Sequence, residues 1–244
     1  MIAMLGMYDR PETSASNDRL WSAIRNELGH GPESLTRDMD FWEVWQSPDL
    51  LFAQTCGMPY RTSLHRQVQL VGTPNYALPD CPAGHYYSVI ITHMDVGHAT
   101  LSELCQGTFA YNEPLSQSGW AAPVNHLQQM DLTPTKRLQT GAHYLSAMAV
   151  AEKRADFAAL DALTWELIRR YDDFAQNLHV VARTNPTPTL PYITGPKQNP
   201  AEIRLAVTKA ISALSGEDRA ILGLNGLEYI PPSAYLAVPT PPLP

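Results

Sequence analysis

An α/β fold follows from three observations on the 244-residue sequence. Short apolar runs alternate with stretches of helical periodicity, as strands and helices laid down in turn would. Residues 86–93, Tyr-Tyr-Ser-Val-Ile-Ile-Thr-His, are rich in β-branched and aromatic side chains and read as a buried strand. Prolines number 21 against 14 glycines, which favours many rigid connections between short elements over a helical bundle. Hydrophobic residues are 44% of the chain and charged residues 17%, so a packed core is feasible and wholesale disorder is excluded.

In chain order, residues 1–7 predict a first strand, and 8–16 a polar loop. A helix is expected from about Asn17, with Leu20, Trp21, Ile24 and Leu28 on one face and Gly29 past its end. Residues 50–54 and 68–72 are short buried strands, and the strand at 86–93 follows. A helical turn at 101–104 and a strand at 107–111 precede a helix over 118–129, bent early by Pro123. The pattern then predicts a helix over 143–154, a strand over 156–160, a helix over 162–171 and a strand over 178–184. Five prolines between 186 and 200 read as an extended crossover between domains. Asn199-Pro200 places a cap and a first helical residue before an amphipathic helix carrying Ile203, Val207 and Ile211. The proline-rich tail, 231–244, is expected to lie on the surface or fray.

Composition excludes several classes of function. The formal net charge is −7 with no run of Lys or Arg, so a nucleic-acid partner is not expected. No apolar stretch approaches the roughly 18 residues of a membrane span. Cys56, Cys81 and Cys105 make no disulfide framework and no C-x-x-C pair; free or buried thiols, or one bridge with a free thiol, both fit the spacing. The N-terminus has no basic segment and too short an apolar run for a signal peptide, which implies a cytoplasmic protein if the sequence is complete. His93 and His98 flank Asp95 without a regular ligand pattern, so no metal site is assigned there. There is no G-x-S-x-G elbow, Walker loop or G-x-G-x-x-G fingerprint, and neither a catalytic residue nor a cofactor is assigned.

The chemistry concentrates in residues 109–120, Phe-Ala-Tyr-Asn-Glu-Pro-Leu-Ser-Gln-Ser-Gly-Trp, where a strand runs through a turn into a helix. A helix N-terminus offers unpaired N–H groups and about half a positive charge, so it can hold an anion without Lys or Arg. Ser116 and Ser118 add hydroxyl donors, and Gly119 permits close approach of the backbone. The alternative is that one of the two serines merely caps the helix. A second turn, Thr140-Gly141-Ala142-His143, again opens a helix; His143 is either a further donor or a polar cap. Asp161 stands at a strand end before a helix, where open α/β sheets present ligand-facing residues, and where an N-cap aspartate also belongs.

Taken together these blocks resemble the phosphonate/phosphate substrate-binding proteins of ABC transporters, within the type II periplasmic-binding fold. The likeness rests on Tyr-Tyr-Ser-Val-Ile-Ile at 86–91, Leu-Ser-Glu-Leu at 101–104 and the 109–119 block. It continues in Thr-Gly-Ala-His at 140–143 and Ala-Asp-Phe-Ala-Ala-Leu-Asp at 155–161. It implies two α/β lobes, residues 1–88 with 188–244 and residues 89–187, joined by two crossing segments and closing on a ligand. By the same resemblance Ser116, Gln117, Ser118 and Gly119 would hold phosphoryl oxygens, with His143 as a further donor. Tyr86 would line the cleft, Asp161 would face the other end of the ligand, and Tyr8 is a contact by position. Gln117 stands where many relatives have Thr, and Thr164 where aminophosphonate binders can carry a carboxylate. The implied partners are a small anionic ligand and an ABC permease, and the implied location is the periplasm. A cytosolic enzyme on the same fold, as in menaquinone biosynthesis, and a ligand sensor are the alternatives.

Overall fold

Pro11 decides where the first helix begins. In the computed structural model, which describes residues 1–244, strand β1 (Ile2–Met4) passes through a 3-10 turn (Gly6–Tyr8) into helix α1 (Pro11–Leu28). Proline at the first helical position forfeits no hydrogen bond and presets φ. The Arg10 N–H donates to Thr13 Oγ1 at 3.0 Å, closing the start. The loop expected up to residue 16 is therefore the helix's first two turns; Thr13, Ser16 and Asn17 are polar yet buried, which hid the periodicity. The C-terminus is as expected: Gly29 takes the left-handed conformation (φ 73°) that a side chain would strain.

The chain continues through α2 (Phe41–Trp45), β2 (Leu50–Gln54), α3 (Gly57–Pro59) with a π turn (Tyr60–Leu64), β3 (Gln69–Asn75) and β4 (His85–Tyr86). Then come β5 (Ser88–His93), α4 (Leu101–Leu104), β6 (Thr108–Tyr111), and a π turn (Gln117–Ala121) running straight into α5 (Ala122–Gln128). After β7 (Lys136–Gln139) follow α6 (His143–Ala151), β8 (Phe157–Asp161), α7 (Ala162–Tyr171), a 3-10 turn (Asp173–Asn177) and β9 (Leu178–Arg183). The last part holds β10 (Thr187–Pro188), β11 (Tyr192–Thr194), α8 (Pro200–Ala213), α9 (Gly216–Leu222), β12 (Gly226–Glu228) and α10 (Pro232–Leu236). The strand expected over 86–93 is thus two strands broken at Tyr87. The proline-rich stretch 186–200 is no plain crossover, because β11 lies within it.

Two compact units emerge: Met1–His85 with Pro188–Ala237, and Tyr86–Thr187 with Val238–Pro244. The first contains a five-stranded sheet in the order β1-β2-β11-β3-β12, with β1 and β2 parallel and β11 antiparallel to both of its neighbours. All five residues of β2 are buried, as a central strand covered on both faces requires. Its core joins Val44, Trp45, Leu50, Tyr60, Ile193 and Tyr235. Tyr235 reaches this core from α10, and its hydroxyl donates to the Thr189 carbonyl at 2.8 Å.

The second unit is built on the order β7-β6-β8-β5-β9, with β6 parallel to β7 and β8, and β5 antiparallel to β8 and β9. Phe109 stacks on Phe157 with ring centres 4.8 Å apart, and Ile90, Trp120 and Leu127 complete the core. Residues 238–244 belong to this unit, whereas the sequence reading assigned them to the first. The Trp120 indole N–H donates to the Pro242 carbonyl at 3.0 Å, and Asn125 Nδ2 to the Pro239 carbonyl at 2.9 Å. The tail thus lies on the surface, one of the two expectations, and is anchored there through the Pro239 and Pro242 carbonyls. Cys56, Cys81 and Cys105 are free thiols. Asp95 pairs with Lys153 Nζ at 2.6 Å, and its N–H donates to His93 Nδ1 at 3.1 Å.

Candidate functional site

Strand β6 ends at Tyr111, and residues 112–115 turn the chain into the helical run 117–128. Ser116 stays extended (φ −82°, ψ 127°), and its Oγ accepts the Gly119 N–H at 2.9 Å, an N-cap. The Trp120 and Ala121 N–H groups both donate to the Ser116 carbonyl, at 3.3 and 3.0 Å, so the first turn is wound in π register. Pro123 just beyond has no N–H to pull that turn tighter. The N–H groups of Gln117 and Ser118 stand in the first turn, where a helix has no carbonyl of its own to offer. Residues 116–119 are all buried, and no residue from 112 to 122 is basic. The result is a buried turn that offers neutral donors.

Gly119 is required by its surroundings. A Cβ there would run into Asn112 Oδ1 and stand 3.0 Å from His143 Cε1. His143 is brought up by the turn at 140–142, which is tied to the end of β6. The Thr140 N–H donates to the Tyr111 carbonyl and the Gly141 N–H to the Asn112 carbonyl, both at 2.9 Å. Thr140 Oγ1 and Ser146 Oγ lie 2.6 Å apart and hold the turn onto α6. His143 Nε2 then comes to 2.8 Å from Ser118 Oγ. Burial pushes the imidazole down to about 4, against a smaller opposing pull from the Ala159 carbonyl. The ring is neutral at neutral pH.

The structure thus brings Ser116, Gln117, Ser118, Gly119 and His143 into one cluster, with Asn112 added. Sequence reasoning passed over Asn112, whose one signal was its place between a strand end and the turn. Asp161 is buried at the end of β8, where its Oδ1 accepts the N–H groups of Leu163 and Thr164 at 2.8 and 3.1 Å. It caps α7. Tyr86 is buried in β4. Tyr8 lies in the first unit, edge-on to Tyr76 with ring centres 5.5 Å apart. There it lines a small cleft with Gln54, Tyr76 and Tyr192 over Leu5 and Leu20. Gln54, Tyr76 and Tyr192 gave no signal in the sequence beyond ordinary strand patterning.

Residues 52–234 match the family described as "ABC transporter, phosphonate, periplasmic substrate-binding protein". A search of curated proteins returns no match. Among solved structures, XAC2383 from Xanthomonas citri bound to chloride superposes with a TM-score of 0.69 at 17% identity, covering 96% of this chain and 93% of that one. The binding-protein component of an ABC phosphonate transporter (PA3383) from Pseudomonas aeruginosa gives a TM-score of 0.68 at 15% identity, over 93% and 81% of the two chains. PhnD1 from Prochlorococcus marinus, in complex with methylphosphonate, gives 0.70 at 12% identity over 96% and 94%. At these identities the likeness is one of fold, that of type II periplasmic binding proteins.

Proposed function

The chain belongs to the periplasmic substrate-binding protein family of phosphonate ABC transporters, and on that footing we propose that it captures a small phosphonate or phosphate on the Ser116–Gly119 turn. It delivers that ligand to an ABC permease and does no chemistry on it. The observation that carries this reading is the buried turn itself, with two hydroxyls, first-turn N–H groups and a neutral histidine gathered in a segment, 112–122, that has no Lys or Arg. Hydrogen bonds from such donors to a charged acceptor contribute roughly 1.5–3 kcal/mol each, so four or five suffice for a useful affinity without a salt bridge. His143 supports the turn through Ser118. Asp161 would disfavour a bare dianion and suit a ligand bearing a donor or cation at the end away from phosphorus. Tyr86 and Tyr8 are further contacts on the strength of the family resemblance. The family's place of work, the periplasm, is the place we assign to this chain.

Calorimetric titration with methylphosphonate, phosphite and phosphate tests the reading. Binding of at least one of them is expected, and Ser118→Ala should weaken it by about 10- to 100-fold, the loss of one charge-assisted hydrogen bond. Unaltered affinity in the variant, or silence with all three ligands, would refute the assignment.

A further inference from the structure

The anion site carries no positive charge, yet it contains one group able to acquire it. Three oxygens stand about the His143 ring. Ser118 Oγ lies 2.8 Å from Nε2, the Ala159 carbonyl acts on the ring from the backbone of β8, and Asn112 Oδ1 converges with His143 Cε1 on the Gly119 Cα. Asn112 Oδ1 is buried and accepts no hydrogen bond, and His143 Nδ1 is buried without one of normal geometry. Such a shell suits an imidazolium better than a neutral ring, although burial alone holds the free ring neutral, with its pKa near 4. In the neutral ring a carbonyl neighbour favours the proton on Nδ1, which leaves Nε2 as acceptor. Ser118 then donates its hydroxyl proton to His143 and has none for an anion.

Resting on the anion reading above, we propose that His143 is the site's inducible counter-charge: one proton enters with the oxyanion and ends on His143 Nε2. That proton reverses the Ser118–His143 hydrogen bond and turns the Ser118 hydroxyl onto the ligand. A phosphonate monoanion brings the proton itself. Its P–O–H proton leaves oxygen, an N–H bond forms at Nε2, and a dianion then faces an imidazolium, with the total charge unchanged at −1. A sulfonate of the same shape and charge has no proton to bring and must draw one from water. The site therefore selects protonatable oxyanions of phosphorus over sulfonates.

Titratable groups with buried or half-buried side chains on the elements packed against His143 are Tyr111 on β6, His93 on β5, Asp161 closing β8, Tyr171 on α7 and His126 on α5, while Glu166 on α7 is turned out to water against Arg169. None of them acts on the imidazole, whose state is set by burial and the Ala159 carbonyl. The remaining charged residues of these elements face water.

The test uses the 15N-labelled whole chain at pH 7 with methylphosphonate and methanesulfonate as probes. Ring 15N shifts of His143 should report the neutral tautomer in the free protein and imidazolium when methylphosphonate saturates. Methanesulfonate should bind at least ~10-fold more weakly, because the group it would have to satisfy is left without its proton. His143→Gln keeps a polar group beside Ser118 but cannot titrate, and it should shrink the gap between the two ligands to less than ~3-fold. A ring that stays neutral under bound methylphosphonate, or equal wild-type affinity for the two probes, overturns the inference; these wild-type arms decide it even if the variant does not fold. Failure of methylphosphonate, phosphite and phosphate alike to bind the folded protein overturns instead the anion reading, and this inference with it.

Discussion

Asp218 shows how much one carboxylate can organise. It stands in the first turn of α9, where its backbone N–H donates to Oγ of the cap Ser215 at 3.0 Å, while its Oδ1 accepts from Ser16 Oγ at 2.7 Å and from Arg19 Nε at 2.9 Å on α1. The Arg19 guanidinium first, then the Ser16 and Ser215 hydroxyls, hold its pKa down to about 2 from the ordinary 3.8. A depressed carboxylate pKa contributes stability that is fully present above the unfolded value and is lost as pH falls through the folded one. We expect Asp218→Asn to be less stable by ~1–2 kcal/mol at pH 6. The difference should close between about pH 4 and pH 2, followed by urea midpoints across that range. At Gly119 the forecast is different in kind. Gly119→Ala places a methyl group onto Asn112 Oδ1, so the variant should lose anion binding by more than tenfold while far-UV circular dichroism stays close to that of the parent. Of these two residues, Gly119 was legible in the sequence beside its serines, and Asp218 was not. Its partners Ser16 and Arg19 lie 202 and 199 positions away in the chain, beyond the reach of any local pattern.

At the scale of elements, legibility followed periodicity and punctuation. Helices α7 and α8 stand where strand ends, caps and Pro200 announced them. The edge strand β7 escaped notice because Lys136, Arg137 and Gln139 are exposed, and a charged edge strand has no buried face to imprint alternation. Helix α9 and strand β12 were missed for a similar reason: seven residues and three are too short for a hydrophobic period to repeat. The tail shows tertiary contact overriding composition. Deleting residues 238–244 removes two hydrogen bonds to the helical run 117–128 and bares the edge of the Trp120 indole, over whose ring the Arg137 guanidinium lies at 5.3 Å. Each bond is worth ~1 kcal/mol, so the truncated chain should melt roughly 4–8 °C lower, with red-shifted tryptophan emission. An unchanged melting temperature would mean the tail is held without consequence.

For the whole molecule the governing quantity is charge. A net charge of −7 repels an anion at long range, and the candidate site answers with dipoles, hydroxyls and one titratable ring rather than with Lys or Arg. Salt screens the repulsion but barely touches buried donors. The methylphosphonate affinity should therefore change by less than about threefold between 0.05 and 0.5 M salt, and any change should be a gain, measured by calorimetry with a non-competing salt. A steep loss of affinity with salt would point to lysines or arginines as the real anchors. No helix is long and apolar enough to cross a membrane.

The sequence by itself determined the α/β class, the alternation of most strands and helices, and the Ser-Gln-Ser-Gly turn at 116–119. All of these are written in neighbouring residues, as period, cap and breaker, and neighbouring residues are what a sequence displays. Only the tertiary structure decided that His143 meets Ser118, that Asn112 closes on Gly119, and that β11 enters the first sheet from within a proline-rich stretch. Only it placed the last seven residues on the second unit. Each of these joins groups far apart in the chain, and which partners meet is set by sheet order and by how buried polar atoms find hydrogen bonds. The electrostatic character of His143 belongs to the same class: its identity is in the sequence, but its neutrality comes from burial, which exists only once the chain has folded.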